Sequence, residues 1–414
     1  MASPFDTVPP PERAAGAAPA RNALATTAAA LERARALLPQ LRERAARTES
    51  ERRLPAETVE ELHASRLFTL ATPRVFGGAE LGFAALVEVA ATLASACGST
   101  GWVYGVLTGH AWMSSLFARE AQQEVFADPR ALVASVFRLT GKTVAVSDGY
   151  RLTEGEGRFC SGIDFSRWVI VGNAVQRPGA APEPVFLLIP THEVRIVDDW
   201  YTAGLRGTGS RSIRIPDAFV PEHRVVRAAD LNRGSSPGAQ FHRNSPAYAV
   251  PFPIGQPFSL IGTPLGIAQG AFDAFADGQR SRFAAMPAEQ AGEQGALFAR
   301  LARVAADIEA AVAVTLREAS RLDALRDMAE LTTLDRTRMI RNLAFAAQSC
   351  RYAVTRLFEA GGGSGLYDGS PLQRLWRDAN SATAHTAFGW DQAASAFGRA
   401  RLGVAPSAFA GPRR

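Results

Sequence analysis

The chain has 414 residues, 47% hydrophobic and 21% charged, with a formal net charge of +5. This length supports two or three domains with sizeable cores, and the composition is that of an ordinary globular protein. Basic and acidic residues are interspersed with no basic arm, and no apolar run approaches the roughly 20 residues that span a bilayer, so neither nucleic acid nor a membrane is an expected partner.

Residues 1–20, rich in proline and alanine, read as a disordered tail. From 21 to 128 the period is helical. Leu54-Pro55-Ala56-Glu57 starts a helix with proline in its first turn, and Val59, Leu62 and Leu67 give it an apolar face. Residues 72–78 break that helix, and further helices are predicted over 81–96 and 102–117. From 129 to 230 the texture is β: runs at 133–137, 167–175, 185–189 and 194–197, and alternation over 210–215 that puts Ile213 and Ile215 on one face. A small antiparallel sheet or barrel is expected. Residues 231–258, with Gly234, Pro237, Gly238, Pro246, Pro251 and Pro253, read as a long loop. Helical period returns over 259–414, clearest at Leu297, Leu301, Val304, Ile308, Val312 and Leu316. Two more helices are predicted, over 334–360 and 370–399.

Chemistry-bearing signals are sparse. The three cysteines, Cys97, Cys160 and Cys350, form no C-x-x-C pair, which argues against a disulfide framework or a thiolate zinc site and suits a reducing cytoplasm. No H-E-x-x-H, P-loop or G-x-S-x-G motif occurs, and no metal site is expected. The glycine-rich Gly361–Gly365 could bring backbone N–H groups to a phosphate, or simply stop a helix. His385 is expected on the helix that follows, with Asp378 on the same face about 10 Å away. His110 lies in an apolar helical run, where it is either a packed imidazole satisfied by a backbone carbonyl or a substrate contact.

The order of several motifs resembles the acyl-CoA dehydrogenase superfamily, and within it the oxygenase components of two-component flavin-dependent monooxygenases. The motifs are Leu54-Pro55 with Pro73-x-x-Phe76-Gly77-Gly78, Gly98-Ser99-Thr100-Gly101-Trp102-Val103, Phe159-Cys160-Ser161-Gly162 with Trp168, Ala203-Gly204-Leu205-Arg206-Gly207-Thr208-Gly209-Ser210 with Phe219-Val220-Pro221-Glu222-His223-Arg224, and Ser370-Pro371-Leu372-Gln373-Arg374-x-x-Arg377-Asp378 with His385. The resemblance spans about residues 52–403.

It implies an α+β fold: an N-terminal helical domain, a central β-barrel and a C-terminal four-helix bundle through which a homotetramer assembles. It also implies reduced FMN or FAD, O2 and a C4a-hydroperoxyflavin that hydroxylates a small phenol-like or heteroatom-containing substrate. A separate NAD(P)H flavin reductase is the implied partner, consistent with the lack of a Gly-x-Gly-x-x-Gly unit. His385, Ser161 and His110 are the implied catalytic residues: His385 at the oxygen chemistry, Ser161 at flavin N5, and His110 removing the phenol proton. Trp102, Ser135, Phe159, Gly362, Gly363 and Arg377 are implied to bind flavin alongside Ser161, with either Arg280 or Arg282 at its phosphate. Trp112 and Phe137 join His110 at the substrate. Two rival readings are an acyl-CoA dehydrogenase with Asp368 as base and a non-catalytic flavin-binding scaffold.

Overall fold

The computed structural model describes residues 24–177 and 179–404. The expected tail at 1–20 lies outside the described residues. The N-terminal helices are α1 Thr27–Ala36, α2 Leu38–Glu51, α3 Ala56–Ala64, α4 Phe83–Ala96, α5 Gly98–Ser114 and α6 Arg119–Phe126. Pro55 caps α3 with φ −59°, the value at which its ring is fixed and from which a helix starts without strain. Val59 and Leu62 are buried on α3, but Leu67 lies beyond it in a 3-10 turn entered through Arg66 at φ 60°. Every residue of α5 is buried. A helix apolar all round belongs at the centre of a molecule, and α5 lies there.

The middle of the chain forms one eight-stranded sheet: β1 Val133–Val136, β2 Lys142–Val146, β3 Gly149–Cys160, β4 Trp168–Gln176, β5 Glu183–Pro190, β6 Arg195–Val197, β7 Arg211–Pro221 and β8 Val225–Arg227. Pairing runs β6-β7-β3-β2-β4-β5-β8, with β1 parallel to β4. Edge strands β6 and β8 do not pair, so the expected barrel is a sheet left open by hydrogen bonding and curled over its own core. Leu152, Val171, Leu187, Ile213 and Ile215 fill that core. The alternation on β7 holds, with Ile213 and Ile215 buried and Arg214 exposed. Sequence reading missed the β2–β3 hairpin, although Asp148-Gly149 between apolar runs is a hairpin signal; Asp148 takes φ 62°.

Residues 231–258 are not a loop but mainly short helical turns: α7 Ala228–Arg233, α8 Pro237–Phe241, a 3-10 turn Pro246–Ala249 and α9 Phe252–Gly255. The prolines open these turns rather than forbid them. The C-terminal helices are α10 Phe258–Ala284, α11 Ala288–Gly292, α12 Gly295–Ala324, α13 Thr333–Ala360, α14 Pro371–Thr383 and α15 Trp390–Arg401. Helix α10 lies against α12, α13 and α14, and its other side meets α4 and α5.

The single helix expected over 370–399 is two. The chain leaves α14 after Thr383, passes through His385 in extended conformation (φ −63°, ψ 139°), makes a 3-10 turn and enters α15 at Gly389. Thr383, Thr386 and Gly389 are poor helix formers, and the break falls among them. Asp378 and His385 therefore do not share a helix face.

Candidate active site

Two groups of candidate side chains gather along helix α5. Trp102 and His110 are eight residues apart, which places them about 12 Å apart along the axis. At the first group, Trp102 Nε1 donates to Ser161 Oγ at 3.1 Å. Its ring meets that of His385 edge-on, with centroids 5.8 Å apart. Ser161 follows β3, where the ladder shifts register between Gly157 and Cys160 and Phe159 takes φ 67°. Gly162, at φ 72°, then turns the chain. A bulky residue at positive φ is a strained position of the kind found at functional sites. Phe159 is 69% exposed.

The environment of His385 fixes its tautomer. Ala387 N donates to His385 Nδ1 at 3.1 Å. A ring nitrogen that accepts carries no hydrogen, so the neutral imidazole bears its proton on Nε2 and offers it as a donor. Desolvation lowers the imidazole's pKa and favours this neutral form.

The second group has the opposite polarity. His110 Nδ1 lies 2.8 Å from the Val133 carbonyl, and Nε2 lies 2.9 Å from Ser135 Oγ. A carbonyl only accepts, so Nδ1 carries the proton. Nε2 is then an acceptor, to which the Ser135 hydroxyl donates. Burial pushes the His110 pKa down to about 4. A backbone carbonyl thus satisfies one nitrogen of His110, as the packed reading expects, while the other meets Ser135. The structure brings Ser135, expected at the flavin, to His110, because β1 runs beside α5.

Phe137 meets His110 edge-on at 6.0 Å between centroids, and Phe186 and Phe252 lie 5.8 and 5.3 Å from Phe137. These three phenylalanines make an aromatic wall beside the His110–Ser135 pair. Trp112 is not part of its inner face. Residues two apart on a helix point to different sides, and Trp112 is buried against Phe83 with its Nε1 donating to the Ala247 carbonyl at 2.8 Å. It backs the wall through Phe252, onto which it stacks at 6.4 Å.

Arg377, expected at the cofactor, is committed elsewhere. Nη1 pairs with Glu49 and donates to the Ala203 carbonyl, and Nε donates to Gln373. Its neighbour Asp378 is buried and accepts from Leu205 N at 2.6 Å. Together they grip residues 203–205. A Cβ on Gly204 would collide with the backbone of Arg377 and Asp378, so only glycine allows this approach. The gripped turn leads into Thr208 and Ser210, which sequence reading did not single out. Ser210 Oγ lies 2.7 Å from both Ser161 Oγ and Thr208 Oγ1.

Gly362 and Gly363 lie in an exposed 3-10 turn with open space around them, and no contact brings them to Ser161 or His385. Asp368 is exposed and accepts only a 3.3 Å bond from Gln373. Arg280 pairs with Asp277 and lines a cavity of about 840 Å³ with Arg35, Arg42 and Arg374. Arg282 does not line that cavity.

The residues around Ser161 suit a flavin ring. Exposed Phe159 offers an aromatic face, and Ser161 and the His385 Nε2–H supply polar edges. Arg206 Nε, in the turn that bears Thr208, is buried with no hydrogen-bond partner. A buried N–H of this kind calls for an acceptor.

Comparison with known proteins identifies the family. Residues 25–131 match the acyl-CoA dehydrogenase N-terminal domain, and residues 260–390 match the C-terminal domain of the same family. The chain belongs to the acyl-CoA dehydrogenase family, on the branch of flavin-dependent monooxygenase oxygenase components. It is 35% identical to the oxygenase component of an FADH2-dependent resorcinol hydroxylase from Rhizobium sp. (strain MTP-10005), over 88% of this chain and 92% of that one. The crystal structure of 3-HSA hydroxylase from Rhodococcus sp. RHA1 superposes with a TM-score of 0.87 at 32% identity, covering 92% of this chain and 98% of that one. XiaF from Streptomyces sp., solved with FADH2 and glycerol, gives a TM-score of 0.84 at 30% identity, covering 92% and 96%. Among the described residues no group of His, Cys, Asp and Glu could hold a metal ion, and no helix is long and apolar enough to cross a membrane.

Proposed function

We propose that this chain hydroxylates a small phenol, using O2 and a reduced flavin delivered by a separate reductase. The observation that carries the proposal is the pair of oppositely protonated histidines near the two ends of α5. Near Trp102, His385 presents an N–H donor, and Ser161 a hydroxyl, to a flavin ring. Two turns along, Ser135 and His110 present an acceptor chain, walled by Phe137, Phe186 and Phe252.

Bound reduced flavin supplies two electrons, with which one atom of O2 enters the ring as hydroxyl and the other leaves as water. The protein does the rest. Phe137 and its neighbours hold the aromatic ring and exclude water. Ser135 Oγ accepts the phenol O–H while donating its own proton to His110 Nε2, and this bond raises electron density on the ring. An imidazole held near pKa 4 cannot keep a proton taken from a phenol. With its Nε2 already engaged by the Ser135 hydroxyl, His110 on this reading works by accepting a hydrogen bond rather than by full deprotonation. His385 Nε2–H donates toward oxygen at the flavin.

Arg280 is favoured over Arg282 as the contact to a flavin phosphate, because Arg280 shares its cavity with other guanidinium groups. A homotetramer built through the C-terminal helices and a cytoplasmic location complete the reading. Chemically reduced FMN or FAD, supplied in air without nicotinamide or reductase, should support hydroxylation of resorcinol-like phenols. Release of hydrogen peroxide alone, across a panel of mono- and dihydric phenols, would overturn it.

A further inference from the structure

The hydroxyls behind Ser161 have a direction. The Leu205 carbonyl can only accept, and Thr208 Oγ1 donates to it at 2.8 Å. A hydroxyl has a single hydrogen, so Thr208 must accept in its contact with Ser210, and Ser210 donates. Ser210 has then used its hydrogen, so Ser161 donates to Ser210. Ser161 also accepts from Trp102 Nε1. All four side chains are buried, at 8% exposure or less, so water does not rewrite the order. Ser161 is left with one lone pair and no proton to give.

The Leu205 peptide that anchors this chain is itself held, through its N–H, by Asp378 on α14. Its carbonyl is also bonded by Trp200 Nε1 at 3.1 Å. Inverting the order, so that Ser161 could donate outward, would take the Thr208 hydroxyl off that carbonyl.

We infer that Ser210 and Thr208 are positioning residues that make Ser161 an obligate acceptor and thereby bias the site toward reduced flavin. This rests on the proposed function, in which Ser161 meets flavin N5. Reduced flavin carries a hydrogen at N5 and can donate to that lone pair. Oxidised flavin carries only a lone pair at N5 and meets another lone pair unless the chain inverts. One hydrogen bond separates the two cases, a bias of about fivefold in affinity. The chain thus favours capture of reduced flavin and release of the oxidised product without any change of fold.

The test is the ratio of dissociation constants for oxidised and anaerobically reduced FMN and FAD, together with the midpoint potential of the bound flavin. Wild type, Ser161→Ala, Ser210→Ala, Thr208→Val and Thr208→Ser are compared, each first checked for a wild-type thermal melt. Ser210→Ala and Thr208→Val should lower the ratio about fivefold, moving the two-electron potential about 20 mV more negative. Thr208→Ser keeps the hydroxyl and should match wild type. If Ser161→Ala shifts the ratio while Ser210→Ala and Thr208→Val do not, the relay is wrong and the flavin placement stands. A Thr208→Ser shift as large as that of Thr208→Val would mean packing rather than polarity, and would also overturn the relay. No shift in Ser161→Ala would remove flavin from Ser161, and the proposed site with it.

Discussion

The two histidines of the site differ in which nitrogen holds the proton, and backbone groups fix that difference. His110 Nδ1–H donates to the Val133 carbonyl, while His385 Nδ1 accepts from Ala387 N–H. Both imidazoles are pushed down by burial, so both should stay neutral at pH 6. Hydroxylation should accordingly be flat from pH 6 to 8, with no inflection near the ordinary histidine value, and NMR titration of the two rings should place the His110 midpoint near 4. The sign for stability follows from the same shift. Between about pH 6.5 and 4 the unfolded chain binds a proton at this histidine that the folded chain refuses. His110 therefore costs the fold up to about 3 kcal/mol as pH falls through that window. Removing the group with His110→Ala should reduce phenol hydroxylation on the order of 10- to 100-fold, leaving peroxide formation from reduced flavin intact. A variant that loses flavin binding instead would put His110 in the wrong group.

At the scale of elements, the site depends on how α14 holds the turn before β7. Arg377 and Asp378 grip residues 203–205 from consecutive positions, and Gly204 allows the contact. Arg377→Ala should destabilise the protein by about 1–3 kcal/mol, because it leaves Glu49 unpaired and the Ala203 carbonyl open. A lowered denaturation midpoint with unchanged slope would show it, and an unchanged midpoint would remove the grip from the account.

This clamp also marks where sequence reading stops. The helices α3, α4 and α13 were legible because proline, glycine and apolar period coincide with their ends and faces. Ile213 and Ile215 disclosed β7 in the same way. Local pattern could not reveal that α14 stops at Thr383, because weak propensity at Thr383, Thr386 and Gly389 decides it only in combination. Nor could it reveal that Arg377 faces Glu49, 328 positions earlier. Both histidines stood out in the sequence itself, while the roles expected of them and of Ser161 came through the resemblance. Thr208 and Ser210 lay inside a quoted motif but acquired a role only once their oxygens proved to be 2.7 Å apart.

For the whole molecule, the proposed assembly has a physical mark on the surface. Phe345 and Tyr352 stand 44% and 48% exposed on α13, and a spacing of seven puts them on one face of that helix. Large apolar side chains grouped in this way on a helix suit contact with another copy of the chain. Replacing both, Phe345→Glu with Tyr352→Glu, should break the proposed tetramer into smaller species in light scattering coupled to size exclusion. A double variant that keeps the wild-type mass would move the interface elsewhere. Asp368 is exposed, and it is the likeness to the oxygenase component of a resorcinol hydroxylase that weighs against the dehydrogenase reading.

The central claim is that the two ends of α5 bring reduced flavin and a phenol together so that O2 is divided between them. A single turnover tests it most directly: enzyme with one equivalent of chemically reduced flavin and resorcinol, mixed with ¹⁸O2 and analysed by mass spectrometry. The account predicts one labelled oxygen in the hydroxylated ring, up to one product per flavin oxidised, with the label lost from product when Ser135 or His110 is replaced by alanine. Unlabelled resorcinol recovered in full, with all of the label in peroxide, would contradict it.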